Sequence, residues 1–174
     1  YNEEKGRYAI SGERCVNRLE KQLGCAVKNH SVMGATVEDG LAAFGKAAPA
    51  PEAICAIEFG GNDCDLNWKS VSENPNAPIQ AKVPLNVYKE KLATFVSQAK
   101  QSGMTPVLVT PLPLHAPRYF EWVTRGLDRD NVRKALGDVE HIYRWQERYT
   151  IAMRQVAREL QCCLLDTRDE FLSL

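Results

Sequence analysis

The chain has 174 residues, enough for one ordinary domain with a core of its own. Lys and Arg together number 22, as do Asp and Glu, so the net charge at pH 7 is zero. That balance excludes the basic footprint nucleic acid requires and the polybasic block an anionic membrane attracts, and it leaves a small or neutral molecule as the partner.

Tyr1 to Gly12 is polar and turn-like. Glu13 to Leu23 then carries Cys15, Val16, Leu19 and Leu23 at helical spacing, with Gly24 as its C-terminal cap. Cys25-Ala26-Val27 reads as a short strand running into Asn29-His30-Ser31-Val32-Met33-Gly34-Ala35-Thr36. Thr36 caps a helix from Val37 onward, Asp39 supplies an acidic group to its first turn, and Leu41 and Phe44 form its apolar stripe. Ala53 to Phe59 is an apolar run bounded by Pro49 and Pro51 before it and by Gly60-Gly61 after it, the pattern of a buried strand closing in a tight turn. Ser70 to Pro84, rich in Asn, Pro and Ser, reads as an irregular excursion, either a lid or a passive insertion.

Pro84 starts a strong helix with Leu85, Tyr88, Leu92, Phe95, Val96 and Ala99 on one face and Gly103 at its end. Thr105 to Thr110 is the next strand, terminated by Pro111-Leu112-Pro113. Two short helical pieces fill His115 to Gly137. Asp138 then caps a long helix whose stripe is Ile142, Trp145, Tyr149, Met153, Val156 and Leu160, and Cys162 to Asp166 is the last strand. Helix and strand alternate with crossovers too long for hairpins, which predicts a single α/β domain with a parallel sheet and helices on both faces.

The six cysteines do not form a disulfide pattern. Cys55 and Cys162-Cys163 lie in apolar runs, where a free thiol behaves as a small hydrophobe, and no CxxC pair has zinc spacing. A reducing, cytoplasmic setting is the expectation, with no membrane span.

Three loops that follow strands carry the chemistry: Asn29 to Thr36, Gly60 to Trp68 and Thr110 to His115. In a parallel sheet they gather on one rim, where α/β proteins bind their ligands. Gly34 lets a backbone N–H approach a ligand closely, and Asn62 offers a carboxamide N–H. Two such donors aimed at one point make an oxyanion hole. The alternative is that Asn62 and Asp63 merely cap the following segment.

Gly60-Gly61-Asn62-Asp63 after an apolar strand resembles the G-x-N-D block of the SGNH (GDSL-type) hydrolases. Asn29 through Gly34 resembles that family's block of an Asn followed five residues later by Gly, and Thr110-Pro111-Leu112-Pro113 resembles the segment after its fourth strand. The resemblance implies a flavodoxin-like three-layer sandwich and hydrolysis of a small-molecule ester, carbohydrate deacetylation included, without metal or organic cofactor. It assigns the oxyanion to the Gly34 backbone N–H and the Asn62 side chain, with Asp63 bracing the turn. It does not extend to the nucleophile. No G-D-S block is present, and none of the form D-x-x-H lies near the C-terminus, where Asp166-Thr167-Arg168-Asp169 directly follows the last strand. The expectation is a domain shown without its first strand and its catalytic C-terminal loop, with the serine upstream of Tyr1 and the Asp and His beyond Leu174. A sheet lacking that strand would leave unpaired backbone groups at its centre, at about 1–3 kcal/mol each. The competing expectation is a non-catalytic binding module on the same scaffold.

Other chemistries fare less well. Ser31 and His30 are neighbours that point to opposite faces of an extended segment. No serine sits in a G-x-S-x-G elbow. Asp63, Asp65 and Asn67 begin like a calcium loop, but Trp68 and Asn74 stand where its glycine and glutamate belong. Asp65, Trp68, Pro113, His115 and Tyr119 are the candidate substrate-binding residues. Trp68, Tyr119, Phe120 and Trp122 build either a pocket or a satellite core beneath a long loop. Trp145 and Tyr149 read as core, and His141 as a surface residue.

Overall fold

A computed structural model describes residues 14–48 and 50–173. The expectations for Tyr1 to Gly12, for Glu13 as a helix start and for Pro49 as a strand boundary fall outside the described residues. The chain divides into two compact units, one ending at Met33 and the other beginning at Gly34.

In the first unit, α1 (Cys15–Leu23) ends at Gly24, whose φ of 64° puts it in the left-handed region expected of a glycine cap. Cys25-Ala26-Val27 does not form the expected strand. A strand requires a ladder partner; instead the Val27 N–H donates to the Glu20 side chain at 3.0 Å. The Asn29 carboxamide oxygen accepts from the Ser31 N–H at 2.9 Å and the Ser31 hydroxyl at 2.7 Å, a local Asx-type turn.

The second unit holds the sheet. β1 (Ile54–Ile57), β2 (Thr105–Val109) and β3 (Cys163–Leu165) run parallel in that order, with Ile57 beside Leu108 and Leu108 beside Leu164. The long helices make the crossovers. α4 (Leu85–Gln101) joins β1 to β2, and its Tyr88, Leu92, Phe95, Val96 and Ala99 are buried, the face its sequence periodicity marks. α7 (His141–Glu159) leads to β3 and buries Tyr149, Met153 and Val156 in the same core, together with Ile57 and Leu108. α2 (Val37–Phe44) packs on α4 and carries the expected capping box. Thr36 receives the Asp39 N–H, while Asp39 accepts the Thr36 N–H at 2.9 Å. Gly40 sits where a side chain would collide with the Phe59 ring. Side chains alternate along β1: Ile57 is buried, whereas Ile54 on the other face is 72% exposed.

Two element expectations change. Ser70 to Pro84 is not wholly irregular, because α3 (Trp68–Glu73) runs into it and an antiparallel bridge between Leu66 and Ala81 closes its neck. Asp138 does not cap α7. Glu140 holds the N-cap position, and Asp138 accepts the Glu140 N–H at 3.0 Å, forming a turn ahead of the helix. α5 (Ala116–Val123) and α6 (Arg129–Leu136) are the two short pieces expected between β2 and α7. With the 66–81 excursion they build a second, smaller core of Leu66, Phe120, Val132, Leu136 and Ile142. α8 (Thr167–Leu172) follows β3 directly.

Candidate active site

The turn after β1 is fixed by its own backbone. Gly60 has a φ of 123°, and a Cβ there would meet Pro111 and the Tyr88 hydroxyl, both at 3.2 Å, so only glycine suits the position. The Tyr88 hydroxyl donates to the Phe59 carbonyl at 3.0 Å. Asp63 is fully buried, and each of its oxygens accepts one backbone N–H: Val37 at 2.8 Å and Gly60 at 2.8 Å. Burial pushes its carboxyl above the usual range against the pull of those donors. With both oxygens engaged, Asp63 is a brace between the turn and the start of α2.

Asn62 bonds the same segment ahead of α2. Its Nδ2 donates to the Ala35 carbonyl at 3.1 Å, which fastens the carboxamide to the Ala35–Thr36 peptide. Gly34 has a φ of 83° and nothing within 4 Å of where a Cβ would stand, and it is not among the residues that line the cavity beside Asn62. Gly61 and Asn62 line a cavity of about 220 Å³, whose far walls come from the excursion, α5, α6 and the first turns of α7.

The sequence-predicted residues separate at this cavity. Asp65, Trp68 and Tyr119 line it; Pro113 and His115 do not. His115 is an exposed N-cap whose Nδ1 accepts the Arg118 N–H at 3.2 Å, so its ring is occupied in starting α5. Asp65 is committed as well. It accepts from Trp68 Nε1 at 2.7 Å, the Tyr119 hydroxyl at 2.8 Å and Lys82 at 2.8 Å, and it staples the excursion to α5. Burial, and then the Asp65 charge, raise the Tyr119 hydroxyl well above its ordinary range, so it stays a neutral donor. Asn67 caps α3 through Ser70, so the three calcium-like side chains Asp63, Asp65 and Asn67 are engaged with three different sets of donors. Phe120 belongs to the satellite core, and Trp122 is exposed.

The cavity also contains residues that sequence reasoning missed. Cys64 lines it, but burial and the neighbouring Asp65 and Asp63 charges push its thiol up to about 12, so it is a packing group. His141, Ile142, Trp145 and Gln146 all face it from α7. Their spacing of one, four and five residues describes one face of one helical turn, a signal present in the sequence. Asp138-Val139-Glu140-His141 also has D-x-x-H spacing, ahead of α7. The Asp138 carboxylate, however, goes to the Glu140 N–H and to Arg144 at 2.9 Å, and does not orient the imidazole. Arg168 is a third omission. It is 1% exposed, pairs with Glu147, and donates to the Pro111 carbonyl at 3.2 Å, holding the loop after β2.

Residues 6–173 match the model of the GDSL-like Lipase/Acylhydrolase family, and the chain belongs to that family. Its fold is therefore the three-layer α/β sandwich, and its general function is that of a hydrolase. No curated protein matches the chain.

Proposed function

We propose that the protein is a serine-dependent carboxylic ester hydrolase in which Gly34 and Asn62 form the oxyanion hole. A serine oxygen attacks the ester carbonyl carbon, and the electron pair displaced onto the carbonyl oxygen is held by the Gly34 backbone N–H and the Asn62 carboxamide. Collapse breaks the ester C–O bond, the alcohol leaves with a proton, and water then cleaves the acyl-enzyme to release the acid and restore the serine. The reading calls for no metal or organic cofactor and takes a small-molecule ester, acylated sugars included.

The observation that carries it is the tether at Asn62. A carboxamide has two N–H donors. One is bound to the Ala35 carbonyl, which fastens the side chain to the residue after Gly34, and the second remains for a ligand in the cavity that Asn62 lines. The nucleophile is not assigned to a residue of the 174, since none of their serines lies in a G-D-S block. The test is intact mass after treatment with a fluorophosphonate probe, run beside a panel of short-chain nitrophenyl esters. A single adduct that abolishes hydrolysis is the expected result. Hydrolysis that survives the probe overturns the serine mechanism; no adduct and no hydrolysis leave the rival, a binding module.

A further inference from the structure

The polar side chains around the cavity beside Asn62 are largely committed to the protein itself. Asp65 accepts from Trp68 Nε1, the Tyr119 hydroxyl and Lys82, which engages the polar ends of both rings as well. The Cys64 thiol donates to the Gly61 carbonyl at 3.2 Å, and Gln146 Nε2 to the Leu112 carbonyl at 3.2 Å. Gln146 Oε1 and Trp145 Nε1 are buried and do not open onto the cavity. Apart from Asn62 and His141, whose ring packs on Trp145 at 5.5 Å, the remaining wall is apolar: Leu66, Leu114, Leu136 and Ile142, with the rings of Trp68 and Tyr119. Leu66, Leu136 and Ile142 belong to the satellite core, which fixes them in place. Such a wall favours an apolar occupant, because a polar one would give up its water without gaining partners.

Volume sets the size of that occupant. An apolar cavity of about 150 Å³ accepts benzene, so one of about 220 Å³ takes a linear chain of about eight carbons, or a phenyl ring with two or three more. The reaction then selects the limb of the ester. In deacylation the attacking water takes the place the alcohol left, by microscopic reversibility, so the alcohol side must admit and hydrogen-bond water. The acyl chain stays through both half-reactions and meets no such demand. We propose that the cavity is the acyl pocket, that it takes a medium-chain or phenylalkanoyl group, and that Leu114 and Leu136 limit the length it accepts. The inference deepens the ester-hydrolase reading and rests on it for placing the reacting bond at Asn62.

Nitrophenyl esters of acetate, butyrate, octanoate, 3-phenylpropanoate and dodecanoate, given to the intact protein, test it. The value of kcat/KM should rise at least about thirtyfold from acetate to octanoate, since each buried methylene contributes about threefold, and fall again at dodecanoate, whose chain exceeds the space. Leu114→Trp, which fills the cavity, should cut the octanoate-to-acetate ratio at least about tenfold, and Leu136→Ala should move the optimum to a longer chain. Leu114 is only partly buried, so a folding defect in Leu136→Ala does not remove the test. A flat acyl series, an optimum that both variants leave in place, or a preference that instead follows the alcohol along a set of alkyl acetates overturns the proposal. Binding without turnover keeps the two readings apart. In calorimetric titration 2-octanone, which has the chain but no ester bond, should bind at least about tenfold more tightly than 2-butanone, and Leu114→Trp should remove the difference. That result in a protein that cleaves no ester sustains the apolar pocket and removes the hydrolase. Asn62-dependent hydrolysis with no chain dependence in esters or ketones removes the pocket alone.

Discussion

The Gly60–Asp63 turn and the Thr110–Leu114 segment both follow parallel strands, and only the turn has a side chain of its own that closes it. The turn is closed from within by Asp63 reaching back to the Gly60 N–H, and it is tied outward by the Val37 N–H on the Asp63 carboxylate, the Val83 N–H on the Asp63 carbonyl and Asn62 on the Ala35 carbonyl. The second segment is held by side chains far away in sequence. Thr110 bonds Asp166 and Thr167, Arg168 takes the Pro111 carbonyl, and Gln146 takes the Leu112 carbonyl. A turn closed on itself and tied to the segment ahead of α2 keeps the Asn62 carboxamide in a fixed place, as oxyanion stabilisation requires. A segment held by α7 and α8 moves with them, and a change in either helix reshapes the cavity wall.

The contrast can be broken from either side. Arg168→Ala should be the most damaging change, because it strands Glu147 without its partner; about 3–5 kcal/mol is expected in denaturant unfolding. In hydrogen exchange the loss of protection should centre on the loop after β2 and spare the Gly60 amide. Asp63→Ala reverses the pattern. It leaves the buried Val37 and Gly60 N–H groups unpaired, for about 2–4 kcal/mol, and the Gly60 amide should then exchange faster.

Asp166 sharpens the comparison through pH. Burial works to raise its carboxyl, but Arg154, Thr110 and the Arg168 backbone N–H together hold it below the ordinary range. A carboxyl depressed by folding contributes stability above its unfolded value and loses it as pH falls through the folded one. The gap between the protein and Asp166→Asn, about 1 kcal/mol at pH 7, should therefore close in acid when unfolding is followed in urea. The smallest effect is expected at Cys64. With its thiol near 12, it should resist iodoacetamide at pH 8 in the folded protein, whereas the exposed Cys163 reacts.

The same contrast explains what was legible in the sequence. The turn could be read because Asp63 and Gly60, which close it, lie three residues apart, and α2, α4 and α7 could be read because capping and periodicity are local signals. The bracing of the second segment could not. Thr110 and Thr167 lie 57 residues apart, and nothing in either local pattern indicates the pairing. Trp145 read as core and packs against it, but an apolar stripe does not reveal that the same side chain also lines a cavity. His115 read as a pocket residue from its position after a proline-rich turn, while its ring is used as a helix cap. Asp65, expected at the substrate site, lines the cavity, and its three donors, two of them also on the wall, come from positions that no local pattern links to it.

The oxyanion role of Asn62 is best tested by kcat for Asn62→Ala on an ester the intact protein hydrolyses, read beside its thermal midpoint. The expected result is a loss of about a hundredfold or more, with the midpoint lowered by no more than about 4 °C for the lost Ala35 bond. An unchanged kcat in a folded variant, or a rate that falls only in step with unfolding, would contradict the assignment of Asn62 to the transition state.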